Sequence, residues 1–237
     1  MAYFVTALHT SPTRERLDIE PLRVLATLPS MGKVMVASSE GGVTHERIGP
    51  VEAVSSEGLF IRVSGTSHDS RIDPREIARI IADRSGRMGE KVFPRIDFQR
   101  FDETVLFSVV GFEGIEPFDA ALASLGAGTP LEAAPGKPAG ERGEVVESDP
   151  GALPFSRASA SGEATTVGFH REGFEQRWRG RIETVKPAMG FINIIQPDFH
   201  MHLKAGAVTG WRQDGDRLFA IAPDGSLLGL FVAPEPR

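Results

Sequence analysis

The run Asp198-Phe199-His200-Met201-His202, ending in Lys204, carries the densest set of groups able to do chemistry. In an extended chain His200 and His202 point to one face while Phe199, Met201 and Leu203 point to the other. Two imidazoles on one face could share a metal ion, since neutral ring nitrogens are good ligands for transition metals. The plainer alternative is a pair of edge or core histidines that satisfy their own hydrogen bonds. A second polar segment is His68-Asp69-Ser70-Arg71-Ile72-Asp73. Its Arg71 could grip a carboxylate or phosphate, or simply pair with Asp69 or Asp73. Trp178 and Trp211 read as core or interface anchors rather than ligand platforms. His45-Glu46-Arg47 reads as the solvated face of a strand. The chain has no Gly-x-Ser-x-Gly, P-loop, dinucleotide fingerprint or zincin helix, which argues against the commonest enzyme classes.

The elements that must hold these residues occur twice. At a constant offset of 131, residues 42–81 align with 173–212 without a gap. Gly42 meets Gly173, Gly49 meets Gly180, Glu52 meets Glu183, Val54 meets Val185, Phe60 meets Phe191 and Ile61 meets Ile192. The identities fall on glycines and alternating apolar positions, which fix turns and sheet faces. Apolar character also survives where Val51 meets Ile182, Val63 meets Ile194 and Ile77 meets Val208. Two equivalent halves imply a pseudo-two-fold axis, with a functional surface where they meet. On this alignment Arg71 takes the place of His202, so the two could flank one anionic ligand.

Strand signals dominate the rest. Lys33–Ser38, Val43–Ile48, Val51–Val54, Leu59–Val63 and Val105–Val110 belong to the first half. Thr165–His170, Phe174–Val185, Gly190–Ile195, Phe199–Lys204, Leu218–Ala222 and Leu228–Val232 belong to the second. Helices are few. Residues 11–29 predict a short amphipathic helical region around Pro21, and Asp73-Pro74 predicts a helix running through Ile77, Ile80 and Ile81. Residues 120–125 could form another helix. The expected organisation is a first repeat over 1–118, an Ala/Gly/Pro-rich linker over 119–163, and a second repeat over 164–237. This is an α+β chain, a tandem repeat of antiparallel β-sheet units.

Composition sets outer bounds. The 237 residues suffice for one large domain or two small ones. A net charge of −6 argues against a broad nucleic-acid surface, although Arg171, Arg177, Arg179 and Arg181 could form a local basic patch. No apolar run is long enough to span a bilayer, and residues 1–16 show no secretory signal. The absence of cysteine excludes disulfides, thiolate metal sites and cysteine nucleophiles, and fits a cytoplasmic location.

Val34-Met35-Val36 followed by Gly42-Val43-Thr44-His45-Glu46-Arg47-Ile48-Gly49, with Asp69-Ser70-Arg71 beyond, resembles the first repeat of the HemS/ChuX-like haem-utilisation proteins. Gly190-Phe191-Ile192-Asn193 and Phe199-His200-Met201-His202-Leu203, ahead of Trp211, resemble the second. The resemblance covers roughly 33–110 and 165–232. It implies two stacked antiparallel sheets capped by helices, formed from tandem repeats. It also implies a cytoplasmic haem-binding protein for haem trafficking or utilisation, with haem degradation reported for some members. Haem requires a nitrogen ligand, basic groups for the propionates and an apolar wall. His202 or His200 as iron ligand, Arg71 and Phe199 would supply these types, with His68 as a further candidate. The implied partners are haem and a haem-donating or haem-receiving protein, and the chain would be a monomer or homodimer. The chain departs from the long members of the family in one respect. Their axial histidine precedes the second repeat, whereas here no histidine lies between His68 and His170. Two other readings stay open: a non-haem binding or regulatory module on the same scaffold, and a metal-dependent enzyme built on His200 and His202.

Overall fold

Alternating burial builds the sheets. In Lys33–Glu40 the side chains of Val34, Val36 and Ser38 are buried and their neighbours face outward. Gly41-Gly42 turns the chain into the next strand with φ of +59° and +86°. Gly173 makes the equivalent turn one repeat later with φ +86°, a backbone region that favours glycine. The computed structural model describes residues 11–134, 146 and 148–235.

Strands of the first half are β1 (Arg14–Arg16), β2 (Lys33–Glu40), β3 (Val43–Pro50), β4 (Ala53–Glu57), β5 (Phe60–Gly65) and β6 (His68–Ile72). They continue with β7 (Arg79–Asp83), β8 (Arg87–Met88), β9 (Lys91–Val92), β10 (Arg95–Gln99), β11 (Val105–Gly111) and β12 (Thr129–Pro130). The second half supplies β13 (Thr165–Arg171), β14 (Phe174–Gly180), β15 (Lys186–Ala188) and β16 (Phe191–Gln196). It ends with β17 (Phe199–Lys204), β18 (Gly210–Asp214), β19 (Arg217–Ile221) and β20 (Leu227–Pro234). Three short helices accompany them: α1 (Pro21–Leu25), α2 (Ile115–Leu122) and α3 (Leu153–Ser161).

Two stacked antiparallel sheets result. One has ten strands in the order β12-β1-β7-β10-β11-β2-β3-β17-β16-β15, and the other eight in the order β18-β19-β20-β13-β14-β6-β5-β4. Each repeat therefore builds most of one sheet and sends a three-strand meander into the other. The meanders join at β3–β17, where Phe199 pairs with Arg47 and Leu203 with Val43, and at β14–β6, where Phe174 pairs with Ile72 and Gln176 with Ser70. The inner faces enclose two apolar clusters. One contains Leu25, Phe98, Phe107, Phe118 and Phe174, and the other Phe155, Trp178, Phe199, Met201 and Leu230. Each cluster is closed by a residue of the opposite repeat: Phe174 in the first and Val43 in the second.

Polar groups mark the pseudo-axis. His45 and Gln176, equivalent at the 131 offset, are both fully buried and bond to each other, with His45 Nδ1 2.9 Å from Gln176 Nε2. The His45 Nε2–H donates to the Val167 carbonyl at 3.1 Å, so Nδ1 is the acceptor. The Gln176 amide also donates to the Val36 carbonyl, while its oxygen accepts from Ser70. Burial pushes the His45 imidazole down to about 3, so it is neutral at physiological pH. The two tryptophans also anchor: Trp178 is buried against Phe199, and Trp211 packs edge-on against Phe155 of α3.

Four sequence expectations change in the structure, the first being the solvated face read at His45-Glu46-Arg47, where His45 and Arg47 are buried. Asp73 does cap a turn, accepting from the Arg75 amide at 3.0 Å, but only one 3-10 turn follows over Pro74–Glu76. Arg79–Asp83 is a strand, because β10 offers a ladder on which β-branched Ile80 and Ile81 pair with Phe98 and Asp97. In residues 11–29 the α-helix is confined to Pro21–Leu25. Pro21 can only begin a helix, and Arg14–Arg16 ahead of it pair with β7. Finally, the region assigned to the linker contains folded pieces. The helical structure expected at 120–125 is present, in the end of α2 and a 3-10 turn, but α3 is not among the expected helices, and it drives Phe155 into the second core cluster. Residues 135–145 and 147 of that region lie outside the described residues.

Candidate functional site

The β17 strand presents Phe199, Met201 and Leu203 to the core, as its alternation predicts, and turns His200 and His202 to the outer face of the ten-stranded sheet. The neighbouring strand β3 brings Glu46 between them, since Glu46 is the cross-strand partner of His200. Glu46 Oε2 lies 3.3 Å from His200 Nδ1 and 3.8 Å from His202 Nε2. The histidine side chains are 29% and 30% exposed and that of Glu46 14%. Burial would raise the Glu46 carboxyl, but the His200 and His202 imidazoles beside it hold it down at about 2. Nδ1 of His202 lies 2.6 Å from Asn193 Oδ1. The Asn193 amide nitrogen donates to the carbonyls of Lys186, Ala188 and Phe191, which fixes its oxygen toward the histidine. An oxygen can only accept, so Nδ1 carries the proton and Nε2 faces Glu46.

The remaining predicted site residues do not join this group. His68 is buried, its Nε2 bonded to the Gly49 carbonyl at 2.9 Å, and burial pushes it down to about 4. Phe199 is fully buried and stacked on Trp178 with ring centroids 4.7 Å apart, a burial that contributes roughly 2 kcal/mol to folding. Arg71 is exposed and sits over the Phe60 ring at 3.4 Å. It belongs to β6, and therefore to the eight-stranded sheet, whereas His202 belongs to the ten-stranded one. Both face away from the shared core, on opposite sides of the stack. The pairing of Arg71 with His202 around one ligand is therefore corrected: pseudo-symmetry places equivalent outward residues on opposite outer faces.

The outer face of the eight-stranded sheet has its own character. At Gly168 a side chain is missing, and the Phe231 ring lies over the gap; a Cβ there would come within 2.1 Å of the ring. Phe219 packs beside Phe231 at 5.8 Å between centroids, and the Arg217 guanidinium lies over Phe231 at 5.1 Å. Phe219, Phe231 and Arg217, with the exposed His170 and Leu227 and the half-buried Arg177 and Leu228, line a cavity of about 530 Å³, within the usual range for small-molecule sites. Its acids are partly engaged, Glu40 with Arg171 and Glu175 with Arg177. The adjoining hollow is also lined by Arg177, Arg217 and Phe231, and adds Arg179. Sequence reading found the arginine cluster but missed His170, Arg217, Phe219 and Phe231. The alternation of β19 and β20 was the available signal. Glu46 was missed as well, because nothing in the order of residues says that β3 lies beside β17.

No family model matches the sequence, and no curated protein matches it. Solved structures do. A heme-binding protein from Pseudomonas aeruginosa, PhuS, aligns in its haem-bound form with a TM-score of 0.74 and 16% identity, over 95% of this chain and 82% of that one. Its haem-free form gives a TM-score of 0.73 with the same identity and coverage. ChuS, a heme oxygenase of Escherichia coli, aligns with a TM-score of 0.74 and 16% identity over 95% of this chain and 84% of that chain. These likenesses establish that the chain has the fold of those proteins, the HemS/ChuX-like stack of two sheets expected from the sequence.

Proposed function

We propose that this chain binds haem, as cargo for trafficking or utilisation, on the outer face of the eight-stranded sheet. The observation that carries the reading is the cavity in which an aromatic floor, a basic rim and an exposed histidine meet. Phe219 and Leu227 offer the apolar wall a macrocycle needs, with the buried Phe231 beneath them. Arg177 and Arg217 offer guanidinium groups for two propionates, and His170 an imidazole for iron. The shared fold with a haem-binding protein and a heme oxygenase supports the same ligand. The set proposed from sequence serves it less well, since His68 and Phe199 are interior and Arg71 faces away from His202.

Titration of tag-free protein with hemin tests the proposal. A saturable Soret shift at one equivalent is expected. It should move to the spectrum of weakly ligated haem in His170→Ala, weaken in Arg217→Glu and persist in His202→Ala. No stoichiometric shift in the unsubstituted protein overturns haem binding and leaves a non-haem binding module. A shift intact in His170→Ala but abolished in His202→Ala overturns the location and moves haem to the ten-stranded sheet.

A further inference from the structure

On the opposite side of the molecule, Glu46, His200 and His202 meet three requirements of a metal centre. Their ligand atoms are mutually close, all within 4.8 Å of one another. The side chains are of the right type, two imidazoles and one carboxylate, a set that suits first-row divalent ions and leaves coordination positions open. One ligand is also held from behind. Asn193, itself buried, is locked by three backbone carbonyls and takes the Nδ1–H of His202, so that Nε2 is the nitrogen left for an ion shared with Glu46. Metal-bound histidines almost always have such a partner on the second nitrogen.

The duplicated half shows that these side chains are not demanded by the fold. At the 131 offset, Glu46, Asn193, His200 and His202 correspond to Arg177, Arg62, Asp69 and Arg71. Those residues occupy the same strand positions on the other sheet, where Arg62 pairs with Asp69 at 2.9 Å. The same backbone thus folds with arginines and an aspartate. At these four positions only the ten-stranded sheet carries two imidazoles, and only there does an asparagine orient one of them.

We infer that Glu46, His200 and His202, oriented by Asn193, form a binding site for a divalent first-row transition ion, separate from the haem surface and lying on the opposite sheet. The ion would take Glu46 Oε2, His202 Nε2 and a nitrogen of His200, with water completing its shell.

Cobalt(II) is a suitable probe because its visible bands report coordination. Haem-free, tag-free protein should take up one equivalent of cobalt(II) with bands diagnostic of mixed nitrogen and oxygen ligation, and zinc should displace it. His202→Gln and Glu46→Gln should abolish the bands. Asn193→Ala should weaken binding by about 10- to 100-fold, with partial recovery in Asn193→Asp. His170→Ala, which lies in the haem cavity, should bind cobalt normally, so loss of haem binding and loss of metal binding are read separately. Circular dichroism shows whether each variant is folded. Absence of a stoichiometric cobalt spectrum in the unsubstituted protein overturns the site. So does a spectrum unchanged in folded Glu46→Gln and His202→Gln proteins.

Discussion

His68 should make the protein sensitive to mild acid, and a single substitution should remove its share of that sensitivity. The imidazole is buried, donates Nε2–H to the Gly49 carbonyl and leaves Nδ1 without a partner. Burial lowers its folded pKa from 6.5 to about 4, with the Gly49 bond opposing and Arg47 reinforcing the effect. For a base depressed in this way, the unfolded chain takes up the proton first. Its stabilising contribution is thus complete above 6.5 and is lost as pH falls toward 4. At pH 5 the unfolded histidine is almost fully protonated and the folded one almost neutral. The loss is then about one and a half pH units at about 1.36 kcal/mol each, or about 2 kcal/mol. His68→Leu removes the titration together with the orphaned nitrogen, and loses the bond to Gly49, a change of about 1 kcal/mol that does not depend on pH. Urea unfolding of both proteins at pH 8 and pH 5 provides the assay. The unsubstituted protein should lose about 2 kcal/mol more than His68→Leu over that interval, since His45 and the other groups titrate in both and cancel. Equal losses in the two proteins would refute the reasoning, and would mean that His68 is as accessible to protons folded as unfolded.

Met189 stands where the first repeat has Gly58, and both adopt positive φ, 54° and 63°. Met189→Gly should therefore stabilise the protein by about 0.5–1 kcal/mol in the same urea assay, the strain relieved outweighing the entropy that glycine adds to the unfolded chain. Arg84 is buried and bridges Glu15 at 2.8 Å and Asp119 at 2.6 Å. Arg84→Ala leaves Glu15 a buried, unpaired carboxylate and should cost about 3 kcal/mol, seen as a lower thermal midpoint at neutral pH.

The order of residues determined a good deal. Alternating apolar positions and paired glycines defined the duplicated strands, and Gly42 and Gly173 make the same turn in both halves. The facing of His200 and His202 away from Phe199 and Met201 follows from strand periodicity alone, and it holds. These features are local, fixed by a two-residue repeat and by the φ that glycine permits. What the tertiary structure decided is which strands lie side by side. The exchange of meanders between sheets brings Glu46 against His200, His45 against Gln176, and sends Arg71 and His202 to opposite faces. It also turned the run after Asp73 from helix into strand, because β10 supplied a ladder that local propensity could not foresee. Periodicity tells each strand which face to bury. Only the packing of one repeat into the other chooses its neighbours, and the chemistry of both outer faces is made by neighbours.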